Sequence, residues 1–397
     1  MLTREENELL TRVGRGTPCG ELLRRYWHPV AAVAELTEEK PIKAVKVLGE
    51  ELVVYRDKRQ TYGLVGEHCP HRLASLAYGR VDHEGIRCPY HGWKFDNTGN
   101  CLEQPAEPAS STFKNRIKHV AYPVETLGGL IFAYLGPKPK PLLPRWDVLV
   151  WENGKRWIVK DSIIDCNWLQ PMENSVDPAH LFWLHGDTAH LAPRVKKYAE
   201  HHEFILFEFG IKKRRTSLPV EAGDRPMVDE HPLLFPTTLR HVAPYGDGKA
   251  HRHNLQIRVP VDDSHTQVFR VNFVASDTER SPLGTQVPLR YSQLKKGARD
   301  YDLRTVSAQD SMAWETQGAI TDRTQERLGV GDEGIIALRK LLKEQIEIVQ
   351  KGLDPIGIIR DPERNRLIEL SVINERIGVH PALNYAQEPK AIASWGR

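Results

Sequence analysis

Two short clusters that pair cysteine with histidine constrain this chain more than any other feature. The first reads Glu67-His68-Cys69-Pro70-His71-Arg72 and the second Arg87-Cys88-Pro89-Tyr90-His91-Gly92-Trp93. A C-x-H pair is thus followed by a C-x-x-H pair. Thiolates suit soft metals and imidazoles borderline ones, so a mixed four-ligand set fits zinc or an iron–sulfur centre. Proline after each cysteine and glycine after His91 stiffen both segments, as expected of two ligand-bearing loops on a β domain. Buried structural cysteines with chance histidine neighbours are the bland alternative, but two ordered pairs argue against it. Structural zinc sites more often use C-x-x-C with H-x-x-x-H. The pattern therefore favours a cluster in which two cysteines hold one iron and two histidines the other.

A chain of 397 residues has room for two or three domains, each with its own core. Its 55 basic and 52 acidic residues nearly cancel, which is no footprint for nucleic acid. Five cysteines (Cys19, Cys69, Cys88, Cys101, Cys166) are odd in number and scattered, a poor disulfide framework. The charged start, with Thr3 and Glu6 as a capping box, reads as a short helix and not as a signal peptide. No apolar run approaches the ~20 residues of a membrane span, so no membrane is expected and a reducing cytoplasm is the default location.

Composition changes once, at Gly136-Pro137-Lys138-Pro139-Lys140-Pro141, a semi-rigid connector. Before it the pattern is mainly β: Val45 and Val47, then a Gly49-Glu50 turn, Leu52 to Tyr55, and the apolar run Leu130 to Leu135. After it the pattern is mixed. Asp161 to His185 reads mostly as helix broken near Pro178, and Phe204 to Ile211 as strand. Leu255, Ile257, Val259 and Val261 alternate with polar residues before a turn at Asp262-Asp263-Ser264. Ile335, Leu338, Leu341, Leu342, Ile346 and Val349 keep one face of a long final helix apolar, with Asp332 as N-cap and Gly352 as stop. The fold class is α+β, with a small β domain followed by a larger one whose final helix covers a sheet. The expected division is an N-terminal helical segment over 1–39, a cluster domain over 40–140 and a catalytic domain over 141–397.

A second constellation lies in Glu173-Asn174-Ser175-Val176-Asp177-Pro178-Ala179-His180-Leu181-Phe182-Trp183-Leu184-His185. Two histidines five apart miss the four-residue helical repeat, so a bulge or helix end would have to bring both onto one metal. Two histidines and one carboxylate on one face of an octahedron leave positions open for dioxygen. Spacing alone leaves Asp302, Asp310, Glu315 and Asp322 open as the carboxylate. Asp177 before Pro178 is also a plausible helix N-cap. Lys212-Lys213-Arg214-Arg215 and Arg240 could hold a carboxylate, since guanidinium groups bind carboxylates bidentately. Four consecutive cations are more often a solvated turn.

With these residues in view, a family resemblance becomes specific. C-P-H-R-x-A-S-L from Cys69 and C-P-Y-H-G-W-K-F from Cys88 resemble the Rieske signature of aromatic-ring oxygenases. The E-N-x-x-D-P-x-H-x-x-x-x-H frame resembles the mononuclear-iron motif of the same proteins. Gln309-Asp310-Ser311-Met312-Ala313-Trp314-Glu315 is similar to the equivalent segment of phthalate-dioxygenase-like members, and it selects Asp310 with Glu315 the main rival. The resemblance implies a Rieske domain followed by a helix-grip-type domain with an antiparallel sheet. It implies a [2Fe-2S] cluster on Cys69, Cys88, His71 and His91, and mononuclear Fe(II) on His180, His185 and Asp310. It gives Asp177 the bridging role between a Rieske histidine of one subunit and an iron histidine of the next, and places Asn174 near the iron.

By the same resemblance the chain is the terminal oxygenase of a multicomponent system. Electrons from NAD(P)H arrive through a separate flavin/iron–sulfur reductase, and the assembly is a homotrimer or stacked trimers. The substrate class is an aromatic acid, oxidised with O2 by ring hydroxylation or O-demethylation, with Arg215 and Arg240 as its expected anchors. The competing readings are a Rieske-type electron carrier and a zinc-stabilised binding protein, neither of which needs an open-coordination iron.

Overall fold

In a computed structural model, residues 1–186, 200–219, 223 and 225–380 are described. The first part of the chain builds three small antiparallel sheets. Ile42–Val47, Glu50–Arg56 and Tyr62–Gly66 form a meander closed by Ala121–Tyr122, with Gly49 at φ 78° in the turn between the first two strands. A smaller sheet of Arg80–Val81, Ile86–Arg87, Lys94–Phe95 and Cys101–Glu103 carries one ligand loop. Val53, Tyr55, Val65, Leu76, Ile86, Trp93 and Phe95 pack with Cys69 and Cys88 into a core of their own.

The segment before residue 40 is not only helical. Arg4–Thr11 and Pro18–Leu23 are helices, the first closed by the Thr3–Glu6 capping box, but Trp27–Ala32 is a buried strand paired with Leu130–Tyr134. Its uninterrupted burial explains why alternation gave no sign of it. The proline connector is packed down: Pro141 O accepts the Trp27 indole N–H at 3.1 Å, and Leu142 N–H donates to Ile359 O.

Among its described residues the second part holds a nine-stranded sheet. Glu200–Phe207, Gly210–Ser217, Met227–Leu234, Thr238–Tyr245, Ala250–Asp262 and His265–Ala275 run consecutively antiparallel, and Gly154–Asp161 joins the last of them. The strand expected to continue to Ile211 turns back after Phe207 instead. Gly210 at φ 146° makes that turn, and a Cβ there would fall 2.1 Å from Leu233 O. Asp161 ends a strand, not a helix; the helical stretch is Leu169–Val176, a break at Asp177-Pro178, then His180–Trp183.

The long helix Glu333–Gln350 buries its apolar stripe mainly against the Leu169–Val176 and Pro18–Leu23 helices. It meets the sheet at the edge strand Glu200–Phe207. Gly334 permits this, since a Cβ would fall 2.2 Å from Val176 O and 2.3 Å from the Phe204 ring. Glu173 locks the same helix pair by taking Arg323 at 2.7 Å and Arg339 at 2.6 Å. The helix bearing Asn174 and leading to His180 is thereby fixed against two elements at once.

Candidate metal centres

The two cysteine–histidine loops meet with their chemistry sorted by depth. Cys69 and Cys88 are buried, whereas His71 is exposed and His91 half-buried. Backbone bonds shape both loops: Cys69 N–H donates to Ala74 O and Leu73 N–H to Cys69 O, while Cys88 N–H donates to Trp93 O and Gly92 N–H to Cys88 O. The two imidazoles face each other with centroids 4.6 Å apart, and His71 stacks on Trp93 at 4.5 Å. Burial pushes the Cys69 thiol up to about 12, and the adjacent Cys88 adds to this. Metal binding nevertheless ionises such a thiol, because the metal displaces its proton. A thiol pair inside and an imidazole pair outside is a donor set that fits a dinuclear iron–sulfur group with two cysteines on one iron and two histidines on the other.

His180, His185 and Asp310 come together from two stretches of the sequence. One ligand atom of each lies within 4.8 Å of the others. The helix that begins at His180 ends at Trp183 with Leu184 as its C-cap, so His185 follows a helix end and the five-residue spacing is met there. The helix Val306–Glu315, capped by Thr305, brings in Asp310 with Oδ1 3.1 Å from His185 Nε2. His185 Nδ1 lies 2.7 Å from Gln309 Oε1, and His180 Nδ1 3.6 Å from Asp177 Oδ2. His185 is therefore steered through Nδ1, as metal-binding histidines usually are, while His180 has the Asp177 carboxylate beside its Nδ1 at ion-pair distance. Asp310 Oδ1 and His180 Nδ1 are buried without a hydrogen bond among the described residues. The donor set and the unsatisfied carboxylate oxygen fit a mononuclear metal.

Electrostatics separates the roles further. Burial works to raise Asp177, but His180, the Ala179 N–H and Lys213 outweigh it and hold the carboxyl below the usual range. Burial works to lower His185, and Asp310 with Gln309 outweighs it. Glu315, the rival ligand, is engaged elsewhere by Lys295 at 2.6 Å, Tyr301 at 2.5 Å and Ser311 at 3.2 Å. Asp302 binds Arg304, and Asp322 binds Thr324. Asn174 is half-buried on the last turn of its helix, its carbonyl accepting the Asp177 N–H.

The expected substrate cations divide between the two faces of the sheet. Arg240 is fully buried and spent on Asp147, with Nη2–Oδ2 at 3.0 Å, beside Trp151. Alternation sets it opposite the row that faces the triad, so its expected anchoring role does not match its position. Arg215 lies on the triad side, paired with Asp229 at 2.6 Å. Two cations outside the expected anchor pair stand nearer. Lys213 Nζ reaches Asp177 O at 3.4 Å, and Arg258 lies 3.9 Å from Met172 Sδ and over the Trp314 ring. Arg258 is buried with its Nε unpartnered among the described residues; burial lowers it to about 10 while Asp310 pulls the other way. The signal for it was present in Leu255, Ile257 and Val259, whose intervening residues Asn254, Gln256 and Arg258 line the other face.

Comparison with known proteins gives a consistent picture. Residues 26–120 match the model of the Rieske [2Fe-2S] domain, and residues 290–374 that of the LigXa C-terminal domain like family. The chain is 39% identical over 382 residues to the 5,5'-dehydrodivanillate O-demethylase oxygenase subunit of Sphingobium sp. (strain NBRC 103272 / SYK-6), covering 94% of this chain and 87% of that one. It is 32% identical to the phthalate 4,5-dioxygenase oxygenase subunit of Pseudomonas putida, covering 90% and 89%. The solved structure of NdmA from Pseudomonas putida CBB5 superposes with a TM-score of 0.64 at 23% identity, covering 84% of this chain and 94% of that one. That likeness is one of fold.

Proposed function

The chain belongs to the Rieske non-haem iron aromatic oxygenases, as an oxygenase (alpha) component of the phthalate-dioxygenase-like group, and we propose that it oxidises an aromatic carboxylate by ring hydroxylation or O-demethylation. One observation carries the reading beyond the family: His180, His185 and Asp310 converge in the second part of the chain, apart from the cysteine–histidine loops. A Rieske electron carrier has no use for such a triad. In this reading Cys69, Cys88, His71 and His91 hold the cluster, and His180, His185 and Asp310 hold mononuclear iron. Bound there, iron supplies the reductive activation of dioxygen.

The protein's own groups supply orientation and charge. Gln309 fixes the ring orientation of His185, and the Asp177 carboxylate stands beside His180. Lys213 and Arg258 give the sheet face beside the triad a positive character, which favours an anionic substrate. The exposed His71 and half-buried His91 are suited to meeting a second copy, with Asp177 as the bridge to His180 in a homotrimer or stacked trimers. Electrons come from a separate partner, which we take to be a flavin/iron–sulfur reductase fed by NAD(P)H. Among the described residues no helix is long and apolar enough to cross a membrane. Cys19, Cys101 and Cys166, outside the cluster set, are buried free thiols, which suits the reducing cytoplasm.

The test is to reconstitute the reduced enzyme with a reductase and offer a panel of aromatic acids and methoxyaromatics. Substrate-dependent oxygen uptake is expected, and formaldehyde release separates O-demethylation from ring hydroxylation. A preparation that contains only zinc, or consumes no oxygen with any of them, overturns the reading.

A further inference from the structure

The Rieske domain carries a cationic turn that neither metal site uses. Phe113–Arg116 is a short 3-10 helix, and Lys114, Arg116 and Lys118, on it and just after it, are exposed. None of the three pairs with a carboxylate among the described residues. Lys114 Nζ donates to Leu102 O at 2.9 Å and Lys118 Nζ to Asn100 Oδ1 at 2.7 Å, both neutral acceptors, while Arg116 lies over the Phe113 ring at 5.3 Å. The carboxylates of Asp96 and Glu107 are held in their own turns, by Thr98 and Asn100 and by Ser111. Arg87 and Lys94 of the same domain are, by contrast, tied to Asp82 and Glu103.

What lies beneath the turn ties this charge to the cluster site. The Phe113 ring meets Trp93 edge-on at 5.8 Å, and Trp93 stacks on His71 at 4.5 Å. Two ring contacts thus join the turn to an imidazole of the cluster set. A molecule resting on the turn stands behind His71, with the Trp93 indole between them. The outer edges of His71 and His91 stay free for the second copy of the proposed assembly. A second copy is a poor occupant for the turn itself, because its own net charge is +3. A protein with an acidic face is drawn there instead, since unpaired surface cations steer the encounter of opposite charges.

Resting on the reading that electrons come from a separate partner, we propose that this turn is the docking surface for that electron donor, which meets it with an acidic face. Lys114, Arg116 and Lys118 steer and orient the donor, and Phe113 with Trp93 sets its approach to His71. The step is transfer of one electron: the donor is oxidised and the cluster reduced, with no bond made or broken and no further reactant.

The experiment is anaerobic stopped-flow reduction of the oxidised, cluster- and iron-loaded enzyme, followed by the visible absorbance of the cluster. The probe donor is a pre-reduced, acidic plant-type [2Fe-2S] ferredoxin, whose potential lies below that of Rieske clusters, and dithionite is the small reductant. The ferredoxin should reduce wild type with a rate constant that falls as salt is raised. Arg116→Glu should lower it roughly tenfold at low salt, the lower end of the range for electrostatic steering, and should change reduction by dithionite far less. Lys118→Glu carries the test if Arg116→Glu does not load its cluster. Lys249→Glu makes the same change of charge beside the far end of the Ala250–Asp262 strand, whose other end meets the Rieske domain where Gly49 N–H donates to Val261 O, and should leave the rate as in wild type. Equal slowing by Lys249→Glu, or no slowing by a loaded Arg116 or Lys118 variant, overturns the docking surface alone. So does a wild type bleached by dithionite and not by the ferredoxin. A changed oligomeric mass with an unchanged ferredoxin rate gives the turn to a second copy and overturns it too. Failure of both reductants to bleach wild type overturns the surface together with the reading that a donor feeds the cluster.

Discussion

Asp177 Oδ2 stands 3.6 Å from His180 Nδ1, while the other carboxylate oxygen accepts the Ala179 N–H at 2.8 Å. One residue thus ends a helix, leads into the next and stands beside a metal-facing ring. Its bond to the Ala179 N–H and its position toward His180 do not compete, because they use different oxygens.

Asp177→Asn should separate these tasks. Asparagine keeps an oxygen for the Ala179 N–H, so that bond survives. The negative charge beside His180 is lost, and replacement of such a partner typically costs about 10–100-fold in activity or metal affinity. We expect substrate-dependent oxygen uptake to fall by that order while the cluster's EPR signal is retained. Unchanged uptake in a fully loaded variant would remove Asp177 from the electron path.

Asp310→Ala should lose the mononuclear iron and keep the cluster, giving two irons per chain by analysis where wild type gives about three. Glu315→Gln should keep all of it. Glu315 serves Lys295, Tyr301 and Ser311, so its loss should show as a lower melting temperature. Iron analysis beside thermal unfolding distinguishes the two carboxylates.

The contrast between these carboxylates shows what the sequence could and could not reveal. Cys69 to Trp93 brings four donors into one short stretch, so its loops were legible without a fold. Asp310 is remote from His185 in the chain, and only resemblance set it above Glu315, five residues away on the same helix. Arg215 was visible as a cation, but its partner Asp229 lies across a strand pair and has no local signature. Arg240 misled for the same reason: a buried arginine and a ligand-binding one look alike until Asp147 is placed beside it. Alternation marked Leu255, Ile257 and Val259 as one face of a strand but carried no sign that Arg258, on the other face, is buried beside the site.

Lys213 should make binding of an anionic substrate depend on pH. Burial, with Arg215 second, lowers its Nζ to about 8, while Asp177 and Asp229 pull it up and Arg258 adds to the lowering. The ammonium is present below that value and is lost as pH rises through it. Affinity for an aromatic carboxylate should therefore weaken from pH 7 to pH 9. The stability effect has the opposite sign: the unfolded chain holds this proton more tightly, so stability rises with pH between about 8 and the ordinary lysine value near 10.4. Lys213→Arg stays charged throughout, and its affinity should be flat across the same range.

Arg240 and Arg258 give the sharpest test of which face of the sheet meets the substrate. Arg240 is sealed against Asp147 with Nη2–Oδ2 at 3.0 Å, and Asp147 Oδ1 also takes the Val148 N–H. Removing the guanidinium leaves Asp147 buried and uncompensated, a change that typically costs about 3–5 kcal/mol. Arg240→Met should therefore melt at lower temperature while the folded fraction binds an aromatic acid as wild type does. Arg258 touches Met172 and Trp314 but has an unpartnered Nε among the described residues. Arg258→Met exchanges a poorly compensated buried charge for a similar apolar volume, so little stability should be lost. What it removes is positive charge on the triad's side, and affinity for the acid should fall roughly tenfold or more, the scale of a charge-assisted hydrogen bond. Titration of both variants with one acid, beside their melting curves, gives opposite patterns if the sheet is oriented as described. The reverse pattern would put the substrate on the Asp147 side.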